Sequence, residues 1–319
     1  MADTMKAFGL ADEGSTAGFL EVPVPQVGAG EVRVRVRASS VNGFDAFVAT
    51  RMARGSMEHR YPVIVGRDYA GVVDAVGEGV DRFAVGDEVA GIVPPAPYLA
   101  SGAYAEFLTI PDAGFVEPKP ANLAYEQAAS VGLAALTALV SVDHVAPSNG
   151  SRVLIVGATG GVGTYAVQLA AARGASVIAT ALPKDEEWIR GLGAHETVDY
   201  SGDVPATVRK RDPDGIEGLI VAVHVGEGFG ALTEIVKDGG KVASTVGGAD
   251  VDAIATRGIS ASNVFAQGDP QPFGAVMQLA AEGSLTVPIT KTYAFDELPQ
   301  ALGLVGKRSS RGKLAIIVA

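Results

Sequence analysis

Residues 153–180 read VLIVGATGGVGTYAVQLAAARGASVIAT. An apolar run of strand length meets a glycine-rich turn, then a helical stretch that stops at Gly174, then a second apolar run. That order dictates a βαβ unit, because two parallel strands must be joined by a crossover and a helix is the usual one. The turn fits G-x-G-x-x-G from Ala158 to Gly163, with Ala158 in the first glycine slot. Such a turn serves a dinucleotide. Gly160 lets the backbone approach a pyrophosphate, Gly163 lets the helix pack on the strand, and the helix start attracts negative charge. Gly160, Gly161, Val162 and Gly163 are therefore the candidate pyrophosphate turn. A glycine-rich strand-to-helix turn without a ligand is the alternative.

The rest of the chain has two textures. Up to about residue 120 it reads as short strands. EVRVRVRASSV (31–41) alternates valine with arginine, the period-two mark of a half-buried strand, and glycines follow at close intervals. Pro94, Pro95, Pro97, Pro111, Pro118 and Pro120 punctuate the end of this region. The pattern suggests a small barrel or sandwich. From about 121 helical and strand patterns alternate, which means a doubly wound parallel sheet. Asn122 reads as an N-cap, SVIATAL, GLIVAVHVG and KVASTVGG as strands, and KDEEWIRGLGA and ALTEIVKDGG as helices. After about 262 the pattern is mixed. The expected division is 1–121, completed by about 263–319, and 122–262.

Composition excludes several classes. Hydrophobic residues make up 48% of the 319-residue chain and charged residues 19%, enough for a sizeable core. A net charge of −11 argues against a general nucleic-acid or anionic-membrane binder. With no cysteine, disulfides, thiolate metal sites and cysteine nucleophiles are out. MADTMKAFGLADEG lacks a basic start and an apolar stretch, so no secretory signal is expected. Apolar runs are broken before about 18 positions, so no membrane span is expected either. The default expectation is a cytoplasmic protein.

The end of the second strand carries information on the cofactor. An acid there, about 20 residues past the turn, binds a ribose 2′-hydroxyl. This chain reads IATALPKDEE, with Thr180, then Ala181, then Lys184 three residues on. A missing carboxylate and a nearby lysine favour a 2′-phosphate, hence NADP over NAD. Lys184 can also be read as a first-turn surface lysine, with Asp185, Glu186 and Glu187 beside it.

Taken together, ASSVNGFDAFV, PVIVGRDYAGVVDAVGEGVDRFAVGDEVAG, GAYAEFLTIP, VGLAALTAL, the 153–181 stretch, LGAHETVDY and RGKLAIIV cover nearly the whole chain. They resemble the medium-chain dehydrogenase/reductase superfamily, in its zinc-free quinone oxidoreductase (ζ-crystallin-like) branch. The family turn is commonly Ala-x-Gly-Gly-Val-Gly, which Ala158 matches. The resemblance implies a GroES-like β-barrel catalytic domain followed by a Rossmann domain, with the last segment returning to the first. It implies NADP(H) as cofactor and a homodimer. It places Asn42 near the nicotinamide ribose with Asp45 just beyond, the two candidate catalytic residues, Lys184, Tyr200 and Arg308 around the 2′-phosphate, and Thr137, Val246 and Phe265 along the nicotinamide pocket. Tyr200 and Thr137 can also be ordinary packing residues, and Asn42 a turn residue before Gly43.

Zinc-using relatives carry Cys at the position of Asn42 and Gly-His-Glu at Gly66, Arg67, Asp68. Here no metal site is expected. His59, His144, His195 and His224 show no paired ligand spacing. Two departures bear on the substrate. A tyrosine often found after the Asn-x-x-Asp pattern is Phe47, and His224 stands where the family often has Asp. The expected reaction is hydride transfer from NADPH to a quinone or an enone-type C=C, with a small hydrophobic substrate. Without zinc there is no Lewis acid to polarise a simple carbonyl. A conjugated acceptor needs less activation, because charge spreads onto oxygen where N–H groups or water can meet it. No general acid stands out. Arg51, Arg54, His59, Arg60 and Tyr61 are candidates, and a solvated loop face is the alternative. Tyr-x-x-x-Lys and Gly-x-Ser-x-Gly are both absent. A non-catalytic NADPH sensor on the same fold is the competing class.

Overall fold

The computed structural model describes residues 3–95, 97–265, 269–305 and 311–319. In chain order the elements are β1 (Thr4–Leu10), β2 (Gly18–Pro23), β3 (Glu31–Ser40), α1 (Gly43–Ala49), β4 (Val63–Ile64), β5 (Asp68–Val76), β6 (Glu88–Ile92), β7 (Phe107–Pro111) and β8 (Val116–Pro118). Then come α2 (Tyr125–Val145), β9 (Arg152–Val156), α3 (Gly161–Ala172), β10 (Ser176–Thr180), α4 (Glu186–Gly191), β11 (Glu196–Val198), α5 (Val204–Arg211), β12 (Ile216–Val221) and α6 (Gly228–Thr233). β13 (Val236–Ser244), α7 (Val251–Ala255), β14 (Ser260–Asn263), α8 (Gln271–Ala281), β15 (Ile289–Ala294), α9 (Leu298–Leu302) and β16 (Lys313–Ile317) complete the chain. It divides into two compact units, residues 1–133 with 267–319, and residues 134–266.

In the first unit, β3 forms as its alternation demands. Val32, Val34 and Val36 are fully buried. Arg33 turns outward to Asp74 (2.9 Å), and Arg35 lies over the Phe107 ring. The register on β5 then shifts between Val36 and Ala38. Such an irregularity re-aims the chain, and from here Ala38, Ser39 and Ser40 are all buried. β16 pairs antiparallel with this end of β3, Ala315 opposite Ser40. β5 pairs on its other side, Asp68 opposite Ser40. The strand order is β15-β16-β3-β5-β6-β8, with β7 also on β3 and a separate β2-β1-β4 sheet.

The second unit holds a six-stranded parallel sheet ordered β11-β10-β9-β12-β13-β14. Val153, Leu154 and Ile155 of β9 are fully buried, as a central parallel strand requires. The order reverses between β9 and β12, which makes that point the switch where such sheets bind ligands.

Four local expectations are corrected. Asn122 is not an N-cap. Its Nδ2 donates to Ala281 O (2.8 Å), and the helix begins at Tyr125. The expected helix over ALTEIVKDGG ends at Thr233, and β13 already starts at Val236. Its first half is exposed at Asp238 and Gly239, which erased the apolar strand pattern. Lys184 lies in a single 3-10 turn, Pro183–Asp185, ahead of α4. Finally, among the described residues the stretch Tyr125–Val145 is long and apolar enough to cross a membrane by length and composition, although its backbone is non-helical at Gly132, where two helices meet at a kink. Its most apolar window is 72% buried inside the protein, as in a core helix.

Candidate functional site

The glycine turn follows β9 and opens α3. Gly157 adopts φ +80°, a conformation that favours glycine, and its carbonyl accepts from Gly160 N (3.0 Å). A β-carbon on Gly163 would stand 2.1 Å from Gly157 O and 2.6 Å from Ala158 Cα, so only glycine fits there. Ala158 is fully buried, its methyl filling the turn's interior. Thr180 is buried, and its Oγ accepts from Gly157 N (2.9 Å), pinning β10 to the turn. No acid stands in the first turn of α3. Its unpaired N–H groups and positive end remain suited to an anion.

All six strands run parallel, so their C-terminal ends share one edge. Gly160–Gly163, Thr180, Lys184, Tyr200, Val246 and Phe265 all come at or just after such ends. Ala181, buried, donates to Val198 O and carries no charge at the end of β10. Lys184 is exposed, Tyr200 and Val246 are half-buried, and Phe265 is 66% exposed. Thr137 is instead buried inside α2, its carbonyl accepting from Ser141 Oγ (2.7 Å). Arg308 lies outside the described residues.

In the first unit, the turn after β3 carries Asn42 and Asp45 into a buried polar cluster. Asp45 Oδ2 accepts from Asn42 N (2.8 Å), as an N3 carboxylate does at a helix start, and from Asn42 Nδ2 (3.3 Å) and Tyr104 Oη (3.0 Å). Asp45 Oδ1 is buried without a hydrogen-bond partner among the described residues. Burial first, and the neighbouring Asp68 charge second, push the Asp45 carboxyl up to about 6, against the pull of Arg67. Burial raises the Tyr104 hydroxyl well above its usual value, with the Asp45 charge adding to the effect. Asp68 Oδ2 accepts from Ser40 Oγ (2.5 Å), Asn42 Nδ2 (2.8 Å) and Lys313 Nζ (3.3 Å), while Oδ1 accepts from Leu133 N (2.7 Å). Lys313 Nζ also donates to Asn42 Oδ1 (2.7 Å) and Val41 O (3.2 Å). Arg67 spends its guanidinium on the carbonyls of Ile64, Val93, Pro94 and Ser101, and burial lowers its pKa.

Asn42 and Asp45 are thus together with Asp68, and Lys313 and Tyr104 join them unforeseen. The available signal for Lys313 was a lysine heading the apolar run KLAII, a charge that a strand this buried must pair. The acid candidates are committed locally. Arg51 bonds the carbonyls of Glu13 and Gly14, Arg54 meets Tyr61 Oη (3.3 Å), Arg60 pairs with Glu58 (2.8 Å) and stacks on Tyr98, and His59 Nδ1 meets Met57 O (2.8 Å).

Comparison with known proteins follows this geometry. Residues 28–121 match the alcohol dehydrogenase GroES-like domain, and residues 192–316 match the zinc-binding dehydrogenase family. The chain is 30% identical to the mitochondrial NAD(P)H oxidoreductase RTN4IP1 of Bos taurus, over 90% of this chain and 82% of that one. It is 32% identical to the chloroplast envelope quinone oxidoreductase homolog of Arabidopsis thaliana, over 72% and 70%. The solved quinone oxidoreductase of Pseudomonas syringae superposes with a TM-score of 0.85 at 27% identity, covering 98% of this chain and 100% of that one. Zinc does not fit these residues. The chain has no cysteine, the described residues hold no cluster of three or more His, Asp or Glu able to grip a metal, and Asn42 and Asp68 already enclose an ammonium. With a GroES-like unit, a parallel dinucleotide-type sheet and these relatives, the chain belongs to the quinone oxidoreductase branch of the medium-chain dehydrogenase/reductase superfamily.

Proposed function

We propose that this protein is an NADPH-dependent reductase of quinones or enone-type C=C bonds. The observation that carries the reading is the edge of the parallel sheet. There Gly160–Gly163 opens a helix with no acid in its first turn, beside a strand end at Ala181 that lacks the carboxylate a 2′-hydroxyl would need. In this reading the turn from Gly160 holds the pyrophosphate, with Gly163 packing the helix on the strand, and Lys184, with Tyr200 and Arg308, meets the 2′-phosphate. Lys and Arg suit a phosphate dianion. Asn42 is read as a further cofactor contact. When bound, reduced nicotinamide supplies the hydride.

The names of the bovine and plant relatives support a nicotinamide cofactor and a quinone acceptor. The site offers no Lewis acid, since its cation is a lysine ammonium already shared among three oxygens. That favours acceptors whose charge delocalises by conjugation. Purified protein mixed with NADPH and 1,4-benzoquinone or a series of enones should consume the near-ultraviolet absorbance of reduced nicotinamide. NADPH binding without turnover on any acceptor would replace this reading with a sensor.

A further inference from the structure

The carboxamide of Asn42 is constrained on both sides. Its Nδ2 faces acceptors, Asp68 Oδ2 at 2.8 Å and Asp45 Oδ2 at 3.3 Å. Its Oδ1 faces the Lys313 ammonium at 2.7 Å. An ammonium can only donate and an ionised carboxylate can only accept. A flipped amide would set NH2 against the ammonium and oxygen against two carboxylates. The neighbours therefore impose one orientation.

What is left over can be counted. Both Nδ2 protons have acceptors, and one Oδ1 lone pair takes the ammonium. Lys313 is fully committed too, with Val41 O, Asn42 Oδ1 and Asp68 Oδ2 around Nζ and its side chain 1% exposed. Asn42 is only half-buried. Among the described residues, the polar capacity left to it is the second lone pair of Oδ1.

We propose that Lys313 is a positioning residue, holding Asn42 so that it presents a single oxygen acceptor to its ligand and selects a hydrogen-bond donor, such as a sugar hydroxyl, at that point. This rests on the reading of Asn42 as a cofactor contact. It differs from simple charge balance, in which Lys313 would serve only to neutralise the buried Asp68. Removing one partner of a buried pair leaves an unpaired charge and destabilises, whereas removing both can restore stability.

The experiment compares Lys313→Met with the double variant Lys313→Met, Asp68→Asn. The double variant keeps an amide oxygen at position 68 to accept from Asn42. Three quantities are read: unfolding midpoint, affinity for whichever of NADPH and NADH the wild type binds more tightly, and affinity for its adenosine half (2′,5′-ADP or 5′-AMP). The orientation is read separately by 15N-asparagine labelling. The chain has only four asparagines, at positions 42, 122, 149 and 263, and Asn42→Asp assigns the Asn42 NH2 pair.

Lys313→Met should shift that NH2 pair and weaken the dinucleotide by roughly tenfold, the effect of one lost hydrogen bond. Affinity for the adenosine half should not change. The double variant should regain the unfolding midpoint but not the dinucleotide affinity. Recovery of affinity in the double variant, or an unmoved NH2 pair in Lys313→Met, overturns the proposal. A wild type that binds neither dinucleotide overturns the cofactor reading instead, and the NH2 resonances still decide whether Lys313 orients the amide.

Discussion

A β-carbon on Gly132 would lie 2.1 Å from Asp68 Oδ1, the oxygen that accepts from Leu133 N at 2.7 Å. The break in α2 and the buried carboxylate therefore depend on each other. The helix interrupts its own ladder there, and the carboxylate comes close enough to take the N–H of the next residue. Gly132→Ala should lose that charged hydrogen bond and overpack the cluster, destabilising by about 2–4 kcal/mol. Urea unfolding monitored by circular dichroism checks the value. A variant within about 0.5 kcal/mol of wild type would show that the close approach carries no energetic weight.

Two glycines of the turn should behave differently. A β-carbon at Gly163 meets backbone at 2.1 Å, while one at Gly160 meets only Gly157 O at 3.3 Å. Gly163→Ala should destabilise by at least 1–3 kcal/mol, roughly the cost of forcing a helix off its strand. Gly160→Ala should fold with near-wild-type stability and lose dinucleotide affinity by roughly tenfold, because its methyl stands where the pyrophosphate approaches. Thermal unfolding and calorimetric titration separate the two effects.

Lys184 is exposed beside a strand end without an acid. Lys184→Ala should weaken NADPH by roughly ten- to a hundredfold, the range for a hydrogen bond to a charged group, and leave NADH unchanged. Parallel titrations with both cofactors measure the ratio. Equal losses would remove the case for a 2′-phosphate contact.

Asp45 predicts an unusual pH dependence. Its carboxyl is raised from 3.8 to about 6 in the folded protein. Between those values the folded state binds more protons than the unfolded state, so Asp45 favours folding fully below about pH 4. That contribution, of order 3 kcal/mol, is lost as pH rises through about 6. The stability of Asp45→Asn relative to wild type should therefore climb from pH 4 to pH 6.5 and then level off. A difference that stays flat across that interval would mean the carboxyl titrates at its ordinary value.

Much of the second unit was legible in order of residues alone. The strand, glycine turn and helix order of 153–180 is a local property, set by backbone sterics and strand–helix periodicity, and β9, the turn before Gly161, α3 and β10 appear where the pattern put them. The turn in ALTEIVKDGG was misread for the same reason in reverse, since an exposed strand start shows no apolar period. Membership of the first unit's last strand came through resemblance, not through any local signal.

The polar cluster belongs to the tertiary structure. Asn42 and Asp45 sit three residues apart and read as a pair. Lys313 lies far from both in sequence and reaches them only because β16 pairs with the end of β3, just past a register shift that turns Ser39 and Ser40 inward. Gly132 reads as one more helix breaker until Asp68 is placed against it. Chain order decided which residues could form strands, turns and helix starts. Only sheet pairing decided which buried charges would meet, because a charge withdrawn from water must find its partner wherever the fold delivers one.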